Sequence, residues 1–322
     1  MRRGSGVGAW AVRALEREDL MDDVEIFDIR CGANWDLYQR GDVAASRELS
    51  LTAIRAGIPP SQNHSTSAHV CAATASMGMG DMDSAMRIYA EGIHGVEGHP
   101  DPEYGHAALL AARAMNLSAM GRFEEARADA ESSTALARRV RNPTVLALAA
   151  LARGWALKST ERAAARAAFE ESIAICESGA IQGTLVPALA FVAPLRLEEG
   201  DPVGALDALR SSIVHCRETG ERFSAISVLD SFVTVLTELD DLEPPVVVAG
   251  VLRAELFGPM AAVTGPDLEN QEQHLAIARA GLSDAAYEAA LARGGSMSDE
   301  DAIEYVIGEL DRVLAEQQGV AG

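Results

Sequence analysis

The chain has 322 residues and carries 48 acidic against 27 basic side chains, a formal net charge of −21. That excess excludes a protein built to grip nucleic-acid phosphates or an anionic membrane surface, since both need clustered Lys and Arg. Aromatic residues make up 5% of the chain and alanine is abundant, which favours closely packed helices over a β core.

The start, Met1-Arg2-Arg3-Gly4-Ser5-Gly6-Val7-Gly8, is basic but has no apolar stretch of signal-peptide length, and no later window approaches a membrane span. Its glycines lack the spacing and the preceding strand of a dinucleotide loop. A short helix is expected over 10–18. The acids Asp19, Asp22, Asp23, Glu25 and Asp28 follow, read as a solvated face at the open end of the molecule, with a docking strip for a basic partner as the alternative.

From Cys31 onward the chain reads as helix pairs. Helices are expected over 31–40 and 42–56, closed by Pro59-Pro60, then over 64–77 and 81–93. A loop at Gly95-Val96-Glu97-Gly98-His99-Pro100 precedes Asp101-Pro102-Glu103, where a cap, a proline at the first helical position and an early acid restart a helix. The third pair covers 102–119 and 123–140. Asn142-Pro143 opens a fourth, which runs to Lys158 and then over 160–177. A helix over 184–196 carries Pro194 in its interior, where the ring removes a hydrogen bond, and a kink near Ala190 is expected. Asp201-Pro202 starts its partner. The sixth pair begins near Arg222, with Pro244-Pro245 opening its second helix. After Gly258-Pro259 the period fails, and amphipathic segments follow over 266–280, 284–293 and 299–316, the last opened by Ser298 with Asp301 as a capping box.

The organising stretch is Gly80-Asp81-Met82-Asp83-Ser84-Ala85-Met86-Arg87-Ile88-Tyr89: Gly80 ends one helix, Asp81 caps the next, and Ala85 and Tyr89 share a face. Equivalent turns stand at Gly41, Gly121, Ser159-Thr160, Gly200 and Asp240, with a period of about 40 residues. The signature resembles the second helix of tetratricopeptide repeats. Ala126, Ala165 and Ala205 keep its small residue, whereas the later aromatic becomes Ala130, Phe169 and Leu209. The resemblance implies an all-α fold: a tetratricopeptide-like α-solenoid, a right-handed superhelix of about six hairpins with a C-terminal helical cap. The expected division is an acidic segment over 1–28, the repeat array over 29–258 and a capping subdomain over 259–322.

The C-terminal part, from Arg217-Glu218-Thr219-Gly220-Glu221-Arg222-Phe223 through Ala249-Gly250-Val251-Leu252-Arg253-Ala254-Glu255 to Ala278-Arg279-Ala280-Gly281-Leu282-Ser283-Asp284-Ala285-Ala286-Tyr287, is similar to the helical sensor arm of large bacterial ATP-binding regulators. These are LuxR-type transcription factors and adenylate/guanylate cyclase-like proteins. The resemblance implies a non-enzymatic interaction or sensor arm in signalling or transcription regulation. Its implied partner is a protein, an ATPase or cyclase module in another chain or reading frame. The chain departs from such regulators by lacking a P-loop: its one lysine, Lys158, follows no glycine-rich run. It reads as the arm alone, either a stand-alone adaptor or a piece of a longer regulator.

Candidate chemistry is sparse. His94, Glu97, His99, Asp101, Glu103 and His106 offer metal donors, but the i,i+5 histidines and the intervening Gly and Pro match no zinc motif. No catalytic residue, metal or cofactor is expected. Cys31, Cys71, Cys176 and Cys216 read as buried thiols, two pairs one period apart, consistent with a cytoplasmic location. Binding has more to stand on. In superhelical arrays the first helices of the pairs line the concave face, which makes Trp35, Tyr38, Arg113, Asn116, Arg153, Trp155 and Arg196 the candidate partner groove. Arg113 and Arg153 lie 40 residues apart, one period. The alternative is a receptor for a small molecule or peptide held near Arg113, Arg153 and Arg196.

Overall fold

At five of the six turns that the period places between paired helices the turn residue is left-handed, the exception being Ser159-Thr160. Gly41, Gly80, Gly121 and Gly200 have φ between 74° and 87°, and Asp240 takes φ 61° at the corresponding position. The hydrogen bonding repeats with them. The amide after the turn residue reaches back five residues, from Asp42 to Leu37, Asp81 to Ser76, Arg122 to Leu117, Asp201 to Arg196 and Asp241 to Leu236, at 2.9–3.0 Å. This is the Schellman closure, which satisfies carbonyls left over at the end of the first helix. Asp42, Asp81 and Asp201 then cap the second helix, each accepting from the amide three residues on.

The computed structural model describes residues 7–57, 65–99, 102–179, 183–254 and 266–320. In chain order the helices are α1 (Val7–Ala14), α2 (Asp23–Gln39), α3 (Val43–Ala56), α4 (Ser65–Gly78), α5 (Met82–Val96), α6 (Pro102–Ala119), α7 (Phe123–Val140) and α8 (Pro143–Leu157). They continue as α9 (Arg162–Gly179), α10 (Leu185–Glu198), α11 (Pro202–Thr219), α12 (Arg222–Glu238), α13 (Glu243–Arg253), α14 (Pro266–Gly281), α15 (Asp284–Gly295) and α16 (Asp299–Val320). A 3-10 helix, Leu15–Leu20, links α1 to α2, and no strand occurs among the described residues. The chain is all-α, a succession of helix hairpins of the tetratricopeptide-like kind. Pro59-Pro60, His64, Asp101 and the 258/259 boundary lie outside the described residues.

The first helix of the first pair begins at Asp23 rather than near Cys31. Asp22 caps it, accepting from the Val24 and Glu25 amides at 2.9 Å while the Glu25 carboxylate accepts from the Asp22 amide at 3.0 Å. Part of the acidic run is therefore a capping box. Glu18 is also engaged, receiving both arms of Arg30 at 3.0 and 2.9 Å. Pro194 lies inside α10, which runs from Leu185 to Glu198 without interruption.

The helices form two compact units, one from α1 to Ala156 and one from Leu157 to α16, with the turn residues Ala119–Gly121 grouped with the second. In both, the small position of the repeat is where the second helix is buried deepest. Ala85, Ala126, Ala165 and Ala205 are all 0% exposed, and Tyr89, Ala130, Phe169 and Leu209, four residues on, are buried with them. A side chain no larger than a methyl lets neighbouring helices close to contact, and the larger residue one turn later fills the gap beyond. In the second unit the crossing of α13 and α15 is tighter still. A Cβ on Gly250 would strike the Leu291 carbonyl, and one on Gly294 the Val247 carbonyl, so backbone meets backbone there.

All four cysteines are buried and unpaired. Burial pushes the Cys31 and Cys71 thiols up to about 12, with Asp28 adding to the effect at Cys31 and Cys31 itself adding to it at Cys71.

Candidate functional site

Along the first unit the first helices of successive pairs present a connected set of polar and aromatic groups. It starts on α2, where Trp35 and Tyr38 are one turn apart and stack, with ring centroids 5.9 Å apart and 26° between the planes. Trp35 is 42% exposed, whereas Tyr38 is 2% exposed. Burial, with Cys71 and Tyr89 beside it, pushes the Tyr38 phenol well above its ordinary range.

Tyr89 of α5 is fully buried and forms the hub of the set. Its hydroxyl accepts from Asn116 Nδ2 of α6 at 2.6 Å and lies 3.2 Å from Thr74 Oγ1 of α4. Between the Tyr89 and Thr74 hydroxyls either can be the donor, so the phenol is hydrogen-bonded on two sides. Burial raises its pKa, and the hydrogen bonds from Thr74 and Asn116 oppose the rise. Three helices are thereby tied through one buried phenol.

One turn before Asn116 on the same helix, Arg113 makes a forked contact with Asp129 of α7: Nε to Oδ2 at 2.6 Å and an Nη to Oδ1 at 2.8 Å. These hydrogen bonds raise the Arg113 pKa, against partial burial that lowers it. The fork is the geometry an arginine uses to recognise a carboxylate, and here the carboxylate comes from the chain itself. Asp129 is 13% exposed at its side chain and Arg113 27%. Charge along this stretch is balanced within one hairpin.

The remaining candidates divide between the units. Arg153 and Trp155 lie on α8 and are both half-buried. Arg196 belongs to the second unit, where an Nη donates to the Gly204 carbonyl at 3.2 Å and Nε stands 3.6 Å from Glu170 Oε1. Trp35, Tyr38, Asn116 and Arg113 are thus linked through Tyr89 and its neighbours. The reading of the sequence missed Thr74 and Asp129. Asp129 is sixteen residues from Arg113 and carries no local mark; only the register of the hairpin brings the two together.

The histidine-rich loop is spread apart. His94 Nδ1 lies 3.1 Å from Glu97 Oε2 in a well-exposed pair, while His106 Nε2 is 3.0 Å from the Ile93 carbonyl. Among the described residues no group of three His, Cys, Asp or Glu side chains is arranged to hold a metal ion, and no helix is long and apolar enough to cross a membrane.

No protein-family model matches the chain, and no curated protein matches it in sequence. Among solved structures, the apo form of RapI aligns over 84% of this chain and 78% of its own, with 9% sequence identity and a TM-score of 0.46.

Proposed function

We propose that the chain is a non-enzymatic protein-interaction arm of a bacterial signalling or transcription regulator. In this reading it binds a protein partner on the face formed by the first helices of its repeats, an ATPase or cyclase module being the partner class that the C-terminal resemblance implies. The observation that carries the reading is Trp35, a large aromatic left 42% exposed on a first helix and backed by Tyr38, which is itself packed against the buried core. A rigid aromatic anchor of this kind supplies contact area at low entropic cost, and such residues dominate binding energy in interfaces. Catalysis has no comparable support. The polar groups on this face bond to one another in satisfied structural pairs, and Arg113 is held by Asp129.

The same pairing bears on the small-molecule alternative. Anion capture at Arg113 has to displace Asp129, and Arg196 is engaged by Gly204 and Glu170. A protein partner that packs on Trp35 needs neither exchange.

The test is crosslinking in cells of the source organism, with partners identified by mass spectrometry for the wild-type chain and for Trp35→Ala. A defined regulator module is expected to be captured by the wild type and lost in the variant, with the melting temperature within about 2 °C because an exposed side chain adds little to folding. Undiminished capture by Trp35→Ala would place the binding surface elsewhere. A small acidic metabolite that raises the melting temperature at stoichiometric levels would favour the receptor reading.

A further inference from the structure

We infer that the first half of α14 is a proton-controlled latch, whose docking on α12 tightens as the pH falls from 7.5 to 5.5. The inference is independent of which partner the protein binds. It rests on how α14 is attached in the second unit.

The helix uses two different kinds of contact along its length. Its second half is apolar in attachment: Leu275 and Ala278 are buried, and Ala278 packs with Val246 and Val247 of α13 and with Tyr287 and Ala290 of α15. Its first half is attached by polar groups. Gln271 Nε2 donates to Asp230 Oδ1 at 2.8 Å, Asn270 Nδ2 donates to Thr234 Oγ1 at 3.2 Å, and His274 Nε2 lies 3.2 Å from Glu238 Oε1. The α12 partners fall at positions 230, 234 and 238, one stripe of that helix. Asp267 receives the Nζ of Lys158, the chain's one lysine, at 2.5 Å, and Lys158 also lies over the Phe191 ring, 4.9 Å from its centre.

Two groups in this seam tie the docking of α14 to α12. The first is His274, 7% exposed, whose ring nitrogens both face acceptors: the Asn270 carbonyl at 2.7 Å on Nδ1 and the Glu238 carboxylate on Nε2. The ring thereby bridges the α14 backbone and the Glu238 carboxylate of α12. Glu238 and Asp230 face it from α12. Arg162 of α9 also feels the Glu238 charge, but its guanidinium is committed to Glu198.

The second is Asp230, which has Asp267, Gln271 and His274 facing it from α14 and Lys158 nearby. Its carboxyl is pushed up to about 6, first by burial and then by the Asp267 carboxylate, while Gln271, Lys158 and His274 pull it back. When α14 lifts, Asp230 is rehydrated and Asp267 departs, so its affinity for a proton falls. The docked state therefore binds more protons at Asp230 than the undocked state does, and by linkage acidification favours docking. Seen from the other side, an Asp whose folded pKa is raised costs stability at neutral pH, and the cost disappears as the pH falls through about 6.

Hydrogen exchange of the full chain at pH 7.5 and 5.5, corrected for the intrinsic rate, reads this directly. Protection of the amides at 271–275 is expected to rise about fourfold at the lower pH, the change that a carboxyl of pKa about 6 when docked and of ordinary value when undocked produces over this range. Amides at 279–281 and in α15 serve as the internal reference and are expected to change much less. Asp230→Asn keeps an oxygen for Gln271 without the charge and should flatten the pH response. The inference is overturned by unchanged or falling protection of 271–275 in the wild type. An equal rise in α15, or a wild-type response persisting in Asp230→Asn, overturns it as well.

Discussion

The residue whose role changes most between sequence and structure is Arg113. Its spacing from Arg153 suggests a ladder of positive charge, yet its fork is closed on Asp129 within the same hairpin. The turn residues are more straightforward. Gly80 has φ 80° and open space where a side chain would stand, so replacing it tests backbone conformation alone. Gly80→Ala is expected to cost about 1–2 kcal/mol, the penalty of a left-handed L-residue. Asp240 holds the same conformation with a side chain, and Asp240→Gly is expected to give a small net gain of about 0.5 kcal/mol, since relief of strain exceeds the added freedom of the unfolded chain. Urea midpoints check both; opposite signs are the expected outcome, and two losses would show that the Asp240 side chain contributes more than its backbone costs.

At the scale of elements, α16 shows how apolar and charged contacts share the attachment of one helix. It packs mainly on α11. Arg210 and Arg217 of α11, seven residues apart, meet Asp311 and Glu304, seven apart in the reverse direction, and Arg222 meets Asp299. This antiparallel ladder sets register. Its Arg217–Glu304 rung, at 3.3 Å, is about half exposed on both sides, and such pairs are worth only about 0.2–1 kcal/mol. The apolar stripe of α16, including Val306, Leu310 and Val313, is nearly fully buried. Leu310→Ala should therefore cost about 2–5 kcal/mol. Glu304→Gln should cost less than about 1 kcal/mol. Thermal unfolding of the two variants compares them, and equal losses would mean that the ladder carries more of the attachment than its exposure allows.

At the scale of the whole molecule, repeat arrays are stabilised by nearest-neighbour contacts and lose cooperativity more readily than single-core domains. Two compact units make that separable here. Trp10, Trp35 and Trp155 all lie in the first unit, so tryptophan fluorescence reports on it alone, while helical circular dichroism reports on both. Urea unfolding followed by the two probes is expected to give non-coincident transitions. Superimposable curves would show that the chain unfolds as one cooperative body.

What the amino-acid sequence determined by itself is the set of features written within a few residues. These include the turn positions at Gly41, Gly80, Gly121, Gly200 and Asp240, the caps at Asp42, Asp81 and Asp201, and the buried small position from Ala85 to Ala205. Each follows from local sterics and backbone hydrogen bonding, which a short window of residues contains. Even locally the reading was incomplete at α2, where Asp22 with Glu25 is a capping box lying inside a longer run of acids. Only the tertiary structure decided which acid meets which base. Asp129 lies 16 residues from Arg113, Asp267 lies 109 from Lys158, and Asp311 lies 101 from Arg210. With 48 acids and 27 basic residues the chain offers many possible pairings of nearly equal local merit. The choice among them is made by helix register and apolar burial, whose energies exceed those of the exposed pairs that they bring together.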